Sequence, residues 1–219
     1  MSRIVVYGAG GRAGRRVVAE AAGRGHEVTA VVRDPARHPA PAGAPGVRVV
    51  AGDVTDLGDV ARTAAGHDAA VQAAARMDVP SEEFYRAAAE ALAGGLARAG
   101  VTRLVAVGIG SLLEVSPGVR LVDTPDFPAE AHAFSLGHAA ELAVFEKSGL
   151  DWVVLAPPPV FLDEEAARTG RYRIGGGRVP DLEPALSFAD LAVAVVDEVE
   201  RPAHHRVQVA VSAVSDDPR

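Results

Sequence analysis

Short apolar runs rich in valine recur along the chain: RIVVY (3–7), VTAVV (28–32), VRVV (47–50), AAVQA (69–73), RLVAV (103–107), WVVLA (152–156) and VQVAV (207–211). Most lack the strict alternation of a strand with one wet face, which is the pattern expected when helices bury both faces of a parallel sheet. Between them lie Ala-rich stretches of helical character at 12–25, 56–66, 81–100, 128–149 and 187–200. Several close on a glycine suited to end a helix, at Gly25, Gly100 and Gly149. This β–α alternation predicts an α/β fold with a doubly wound parallel sheet between two helical layers.

Composition narrows the picture. A chain of 219 residues, 48% hydrophobic, is long enough for one α/β domain with a large core, and it shows no internal repeat. The stretch DPARHPAPAGAPG (34–46) reads as a loop with little to bury. Lys plus Arg is 22 against Asp plus Glu 29, a formal charge of −7, which disfavours a nucleic-acid partner. The absence of cysteine removes disulfides, thiolate metal sites and thiol nucleophiles together. Arg3 enters a β-like run without a signal-peptide pattern, and no apolar stretch approaches the roughly 18 residues of a membrane span, so a soluble cytoplasmic protein is expected. Apolar helix faces leave a homodimer possible without pointing to one.

The segment YGAGGRAGRRV (7–17) carries the first chemistry. It holds Gly8-x-Gly10-x-x-Ala13 and, in another register, Gly8-x-x-Gly11-x-x-Gly14, after the first strand and at the opening of the first helix. Glycines there allow a tight turn and close approach of backbone to a pyrophosphate, and the helix N-terminus supplies N–H groups and a favourable dipole. The plain alternative is a turn that only joins strand to helix. Arg33 stands immediately beyond the second strand, where a guanidinium can meet a 2′-phosphate, and Arg12 can assist it or contact the pyrophosphate. This favours NADP(H). If Asp34 instead binds the ribose, NAD(H) is the less favoured alternative.

After the third strand, Asp53 can accept from an adenine amino group and Val54 can cover the ring, unless Asp53, Thr55 or Asp56 only caps the next helix. After the fourth, Gln72 precedes the small residues Ala73 and Ala74, which let backbone lie against a ribose.

The segments GAGGRAG, VVRDP, GDVTD, RLVAVGIGSL, LVDTPDFPAE and SFADLAVAVVDEVE together resemble the atypical short-chain dehydrogenase/reductases of the NmrA-like, NAD(P)H-binding type. The likeness runs from Arg3 to about Val211, and more distant members are flavin and biliverdin reductases. It implies a Rossmann-type sheet and a single NAD(P)-binding domain over 1–219, with substrate-facing segments at about 112–135 and 157–187. On that likeness Gly8, Gly11, Arg12, Ala13, Gly14 and Arg33 match the cofactor turn and phosphate reader. Asp53 and Val54 match the adenine pair, and Gly108 to Ser111 the loop bearing an active-site serine. The block APPPVF (156–161) matches a proline-bearing loop near the nicotinamide, with Pro157 beside it and Val160 offering backbone to the carboxamide; the prolines alone are equally consistent with a rigid turn.

One departure matters. The larger short-chain dehydrogenase families use a Tyr-x-x-x-Lys pair on the helix after the fifth strand, and this chain has Phe134 and His138 at that spacing. Phenylalanine cannot donate a proton. Ser111 is the first candidate to orient a substrate oxygen, against a turn or capping role. His132 and His138 are candidates for proton transfer, although six residues apart they do not share a helix face as an i,i+4 pair would, and each has a surface or supporting role as its alternative. No metal site is expected, since the remaining histidines lack companion ligands.

The segment 112–130 reads as a wall of the substrate pocket, with Asp123 or Asp126 available to a polar group; Tyr85 is a further pocket candidate, and YRIGGGRVP (172–180) a β-turn or a mobile lid. These readings favour an NADPH-dependent reductase of a small organic acceptor: a quinone, flavin, enone or carbonyl. The alternatives are an NADP(H)-binding redox sensor without turnover and a redox-neutral epimerase or isomerase that uses bound NADP.

Overall fold

The computed structural model describes residues 1–38, 45–159, 162–180, 182, 185–186 and 187–214. Every apolar run read as a strand is one: β1 (Arg3–Tyr7), β2 (Glu27–Val32), β3 (Val47–Ala51), β4 (Ala69–Gln72), β5 (Arg103–Val107), β8 (Asp151–Ala156) and β10 (Val207–Ser212). They form a parallel sheet in the order β3-β2-β1-β4-β5-β8-β10, and β9 (Arg173–Ile174) adds antiparallel to the outer edge. The interior strands β1, β4 and β5 are buried on both faces, which explains their unalternated sequence.

Among the described residues, five α-helices cover the sheet. On one side α1 (Arg12–Gly23) packs with α5 (Phe188–Glu200); on the other α2 (Leu57–Ala64), α3 (Ser81–Ala99) and α4 (Ala129–Lys147) pack in series. Two apolar clusters, one per face, are built from alternate residues of the same strands: Ile4, Val6 and Val71 point to the α1/α5 side, Val5, Tyr7 and Ala70 to the other. The architecture is therefore the doubly wound, three-layer Rossmann-type α/β/α fold.

The helix boundaries follow local chemistry. Asp56 caps α2 by accepting from Asp59 N–H at 2.7 Å, and Ser187 caps α5 by accepting from Asp190 N–H at 2.9 Å. Gly100 ends α3 in the left-handed region, at φ +74°. Gly149 takes no such conformation: α4 stops one residue earlier, where the Ser148 hydroxyl donates to the Phe145 carbonyl at 2.7 Å.

Three short strands escaped the sequence pattern. β6 (Glu114–Ser116) and β7 (Val119–Arg120) form a small hairpin, and β9 lies within the glycine run 172–180, where the sequence predicts a turn or a lid. That run is bonded to its neighbours instead. Gly175 N–H donates to Ala210 O at 2.8 Å, Ala210 N–H to Gly176 O at 3.0 Å, and Glu114 N–H to Gly177 O at 2.8 Å.

Candidate functional site

Strand order reverses between β1 and β4, so the crevice beyond their carboxyl ends is the place where this topology leaves room for a ligand. Its floor is backbone. Gly8 sits at φ +74°, and a Cβ on it would fall 2.4 Å from Ala74 Cα, so only glycine lets the two strand ends approach this closely. The next turn opens α1 with Gly11 as an N-cap that has no side chain to offer the first N–H groups.

Nor does the first turn of α1 carry an acidic residue; it carries Arg12 and Arg15 instead. Unpaired N–H groups and cations at a helix N-terminus, where Asp or Glu would ordinarily settle, form an arrangement suited to an anion. These residues fit the pyrophosphate of a dinucleotide. Gly14 does not line the crevice with Gly8, Gly10, Gly11, Arg12 and Ala13. It is buried under the turn, where a Cβ would lie 2.1 Å from Gly8 O, so its smallness serves packing rather than contact with a ligand.

Beyond β2 and β3, the crevice is lined by Arg33, Asp53 and Val54. Arg33 is exposed and makes no hydrogen bond or ion pair with the described residues, which leaves its guanidinium available. Asp34 is used locally, accepting from Ala36 N–H at 3.0 Å to cap a short 3-10 turn. Asp53 is not the helix cap, which is Asp56. Its Oδ1 accepts from both the N–H and the hydroxyl of Thr55, at 2.9 and 2.7 Å. His38 closes this end from above, its ring lying so near Gly10 that a Cβ there would meet it at 2.7 Å. Nearby, Arg76 grips Asp78 and holds that carboxyl down at about 2.

The far end of the crevice is built on β5 and β8. Gly108 and Gly110 let the serine loop lie against the proline block: a Cβ on Gly110 would come within 2.4 Å of Pro157 O. Ser111 is 1% exposed, and its hydroxyl donates to Ser135 Oγ at 2.8 Å, which donates on to Ala131 O at 3.0 Å. Its lone pairs rather than its proton are therefore left for a ligand. Pro157 lines the crevice with Gly108, Ala73 and Ala74, whereas Val160 lies outside the described residues.

The two histidines part company. His138 lines the crevice at 6% exposure, stacked at 4.0 Å on Tyr85 and edge-on to Phe134 at 5.1 Å. Its Nδ1 meets Glu141 Oε2 at 3.2 Å. His132 falls on the exposed side of α4, against Phe127 and away from the crevice lining, because six residues carry it round the helix from His138. Phe127, Phe134 and Tyr85 make this end aromatic. Burial raises the Tyr85 hydroxyl well above the ordinary tyrosine range, and the nearby Glu141 charge adds to it.

Parts of the two segments expected to face a substrate line the crevice. Of 157–187, Pro157–Pro159 and Leu162 line the crevice among the described residues, and the chain then turns towards α1 and α5. Of 112–135, the lining begins at Leu121; the β6–β7 hairpin before it stands clear. Asp126 lies on the rim, whereas Asp123 is taken by Arg120 at 2.7 and 2.9 Å. Arg12 is likewise engaged: its guanidinium meets Glu164 at 2.9 Å and lies 5.5 Å over the Phe188 ring.

Sequence reasoning missed Glu164, His38 and the buried acid Glu141. Only Glu141 left a signal, its i,i+3 spacing from His138 on a helical stretch. Among the described residues no cluster of His, Asp or Glu suits a metal, and no helix is long and apolar enough to cross a membrane.

The chain is similar to known proteins over nearly its whole length. The chain is 34% identical to the uncharacterised protein YwnB of Bacillus subtilis (strain 168) over 216 residues, 95% of this chain and 97% of that one. A solved structure from Bacteroides thetaiotaomicron, provisionally described as an epimerase, superposes with a TM-score of 0.86 at 30% identity and 99% coverage of both chains. Another from Streptococcus pneumoniae TIGR4, provisionally described as an NADH-flavin reductase, gives 0.82 at 27% identity, covering 98% of this chain and all of that one. A family model described as NAD(P)H-binding matches residues 8–202, a span that takes in the glycine turn, Arg33, the serine loop and α4, and the chain belongs to that NAD(P)H-binding family.

Proposed function

We propose that the chain is an NADPH-dependent oxidoreductase that reduces a small, flat organic acceptor such as a quinone, flavin or enone, and that the whole span 1–219 works as one catalytic unit. One observation carries this reading. A single crevice of about 1500 Å³ runs from the glycine turn to the serine loop. That exceeds the roughly 300–1000 Å³ of an ordinary small-molecule site and suits a dinucleotide and a second molecule side by side.

NADPH, when bound, supplies the hydride; the residues of the chain bind, orient and exclude water. The α1 N-terminus and the glycine backbone hold the pyrophosphate. Arg33 reads the 2′-phosphate, an assignment supported by its lack of any other partner among the described residues. The acceptor lies in the aromatic end, where Tyr85, Phe127 and Phe134 favour a conjugated ring system. Ser111 orients it through its lone pairs, since its own proton is committed to Ser135. The description of the Streptococcus relative as a flavin reductase supports this choice of acceptor.

Phe134, in place of an acidic hydroxyl, favours a second reading, a sensor of NADP(H) without turnover. Titration of the chain with NADPH and NADH, followed by an absorbance assay against quinones, flavins and enones, separates the two. The reductase reading expects tight NADPH binding and oxidation by at least one acceptor. Binding without oxidation leaves the sensor, and no binding of either nucleotide overturns both.

A further inference from the structure

Helix α4 carries a buried acid–imidazole pair to which the reading above gives no task. His138 and Glu141 are one turn apart, 6% and 2% exposed. A carboxylate only accepts, so the 3.2 Å contact to Glu141 Oε2 places a proton on His138 Nδ1. Glu141 Oε1 accepts from Gln72 Nε2 at 3.2 Å, and Gln72 Oε1 accepts from Ala74 N–H at 3.2 Å. The pair is thus tied to the strand end that forms the crevice floor.

The other ring nitrogen is the informative one. His138 Nε2 has no partner among the described residues, yet it is absent from the polar atoms that are sealed in without one, which are Arg103 Nε and Trp152 Nε1. As His138 lines the crevice, Nε2 is the atom it presents there. Tyr85 and Phe134 clamp the ring from two sides, and Gly137 makes the clamp possible, since a Cβ there would strike Tyr85 Cδ2 at 2.8 Å.

We infer that His138 is the proton-transferring residue of the crevice and that Glu141 is the positioning residue that aims it, an inference that rests on the reductase reading. Were bound NADPH to supply a hydride to the acceptor, the electron pair of the acceptor's double bond would move to its oxygen or nitrogen. With the ring doubly protonated, the His138 Nε2–H bond breaks, the proton joins that atom, and the electron pair stays on Nε2. The imidazole is left neutral with Nδ1–H still on Glu141, and it regains a proton from water. A carboxylate behind the ring fixes the tautomer and stabilises the protonated ring, as in other acid–imidazole pairs. The remaining polar groups around the ring fit the role less well. The Tyr85 hydroxyl on α3 is held protonated by burial, and the Ser111 and Ser135 protons are committed to each other and to Ala131 O.

Two measurements test this. Nitrogen-15 NMR of the full chain without nucleotide reads the His138 tautomer directly: Nδ1–H is expected for the neutral ring, moving towards Nε2–H in Glu141→Gln. Finding Nε2–H in the unaltered chain overturns the role of Glu141 whatever the activity. With NADPH and either a small quinone or flavin mononucleotide, His138→Gln is expected to lower kcat about 100-fold with the NADPH Kd unchanged. Glu141→Gln should lower kcat and displace the pH profile, with part of the loss recovered in Glu141→Asp. A His138→Gln chain that keeps both kcat and pH profile overturns the proton-transfer role. If the unaltered chain binds NADPH but reduces no acceptor, the reductase reading falls together with that role, and the tautomer measurement still decides the pairing with Glu141.

Discussion

The carboxylate of Glu164 lies 2.9 Å from the guanidinium of Arg12, joining two residues 152 positions apart in the chain. Arg15 approaches the same carboxylate at 3.5 Å, and Arg16 donates to the Glu164 carbonyl at 2.6 Å. The segment after β8 thus places a carboxylate beside the helix N-terminus, where the proposed site would receive a pyrophosphate. The two anions compete for the same cations.

Removing that carboxylate should help the nucleotide. The pair is largely exposed, 59% and 41% for the two side chains, so it is worth no more than about 1 kcal/mol. Glu164→Ala is therefore expected to tighten NADPH binding about two- to fivefold, as read by isothermal titration calorimetry. A weaker complex would mean that Glu164 holds the site together rather than competing for it.

Cofactor choice is tested at Arg33. Its guanidinium is free among the described residues, and a charged hydrogen bond to a phosphate contributes about 1.5–3 kcal/mol. Arg33→Asp should weaken NADPH roughly 10- to 100-fold while leaving NADH much less affected. Equal losses for both nucleotides would remove Arg33 as the phosphate reader.

The strands and helices were legible because valine-rich runs and Ala-rich stretches are long enough to show their burial. β6, β7 and β9 were not, since two or three residues at an edge display no period. In the site, the glycine turn and Arg33 could be found because their chemistry is local. His38 over Gly10, Glu164 on Arg12 and Gln72 on Glu141 are contacts between separate elements, and nothing in one segment announces the other. Gly14 shows a related limit: a glycine within a nucleotide motif can serve packing alone, and only the 2.1 Å approach to Gly8 O distinguishes the two roles.

That approach gives its own prediction. Gly14→Ala forces a methyl group against the Gly8 carbonyl, which cannot retreat without moving the end of β1. The expected cost is about 1–3 kcal/mol, with the melting temperature falling roughly 2–4 °C for each kcal/mol. Gly23→Ala, where a Cβ would meet nothing within 4 Å, is the control and should not lose stability in this way.

At the opposite end of the sheet, Arg103 and Glu198 form an ion pair of 2.8 Å with side chains only 8% and 6% exposed. The guanidinium also donates to the carbonyls of Glu198 and His204, and His204 Nδ1 meets Glu198 Oε1 at 2.6 Å. Glu198→Ala leaves the buried cation with only the partly exposed Asp151 carboxylate, at 3.3 Å, and should cost about 3 kcal/mol in urea denaturation. Arg103→Met combined with Glu198→Leu is expected to recover most of this, because it removes both desolvated charges. A double variant as unstable as the single one would show that the pair contributes net stability.

Acid sensitivity follows from Glu20, a side chain only 9% exposed that accepts from Arg168 at 2.7 Å and Arg24 at 2.8 Å. The bond from Arg168 is the largest influence; burial opposes it and the bond from Arg24 adds to it, and the carboxyl ends below its ordinary value of 4.5. A folded-state value lower than the unfolded one means that the unfolded chain binds the proton more readily. The stabilisation from Glu20 is therefore complete above about pH 4.5 and is lost as the pH falls through the lower folded value. Glu20→Gln should be less stable than the unaltered chain at pH 7, and the gap should close as the solution is acidified. Asp59 and Asp163 are also held below their ordinary values, by Arg62 and by the backbone N–H groups of Ala166 and Glu165, so the acid slope is reduced rather than abolished. A gap that stays constant with pH would assign the loss to packing of the Glu20 side chain and not to its charge.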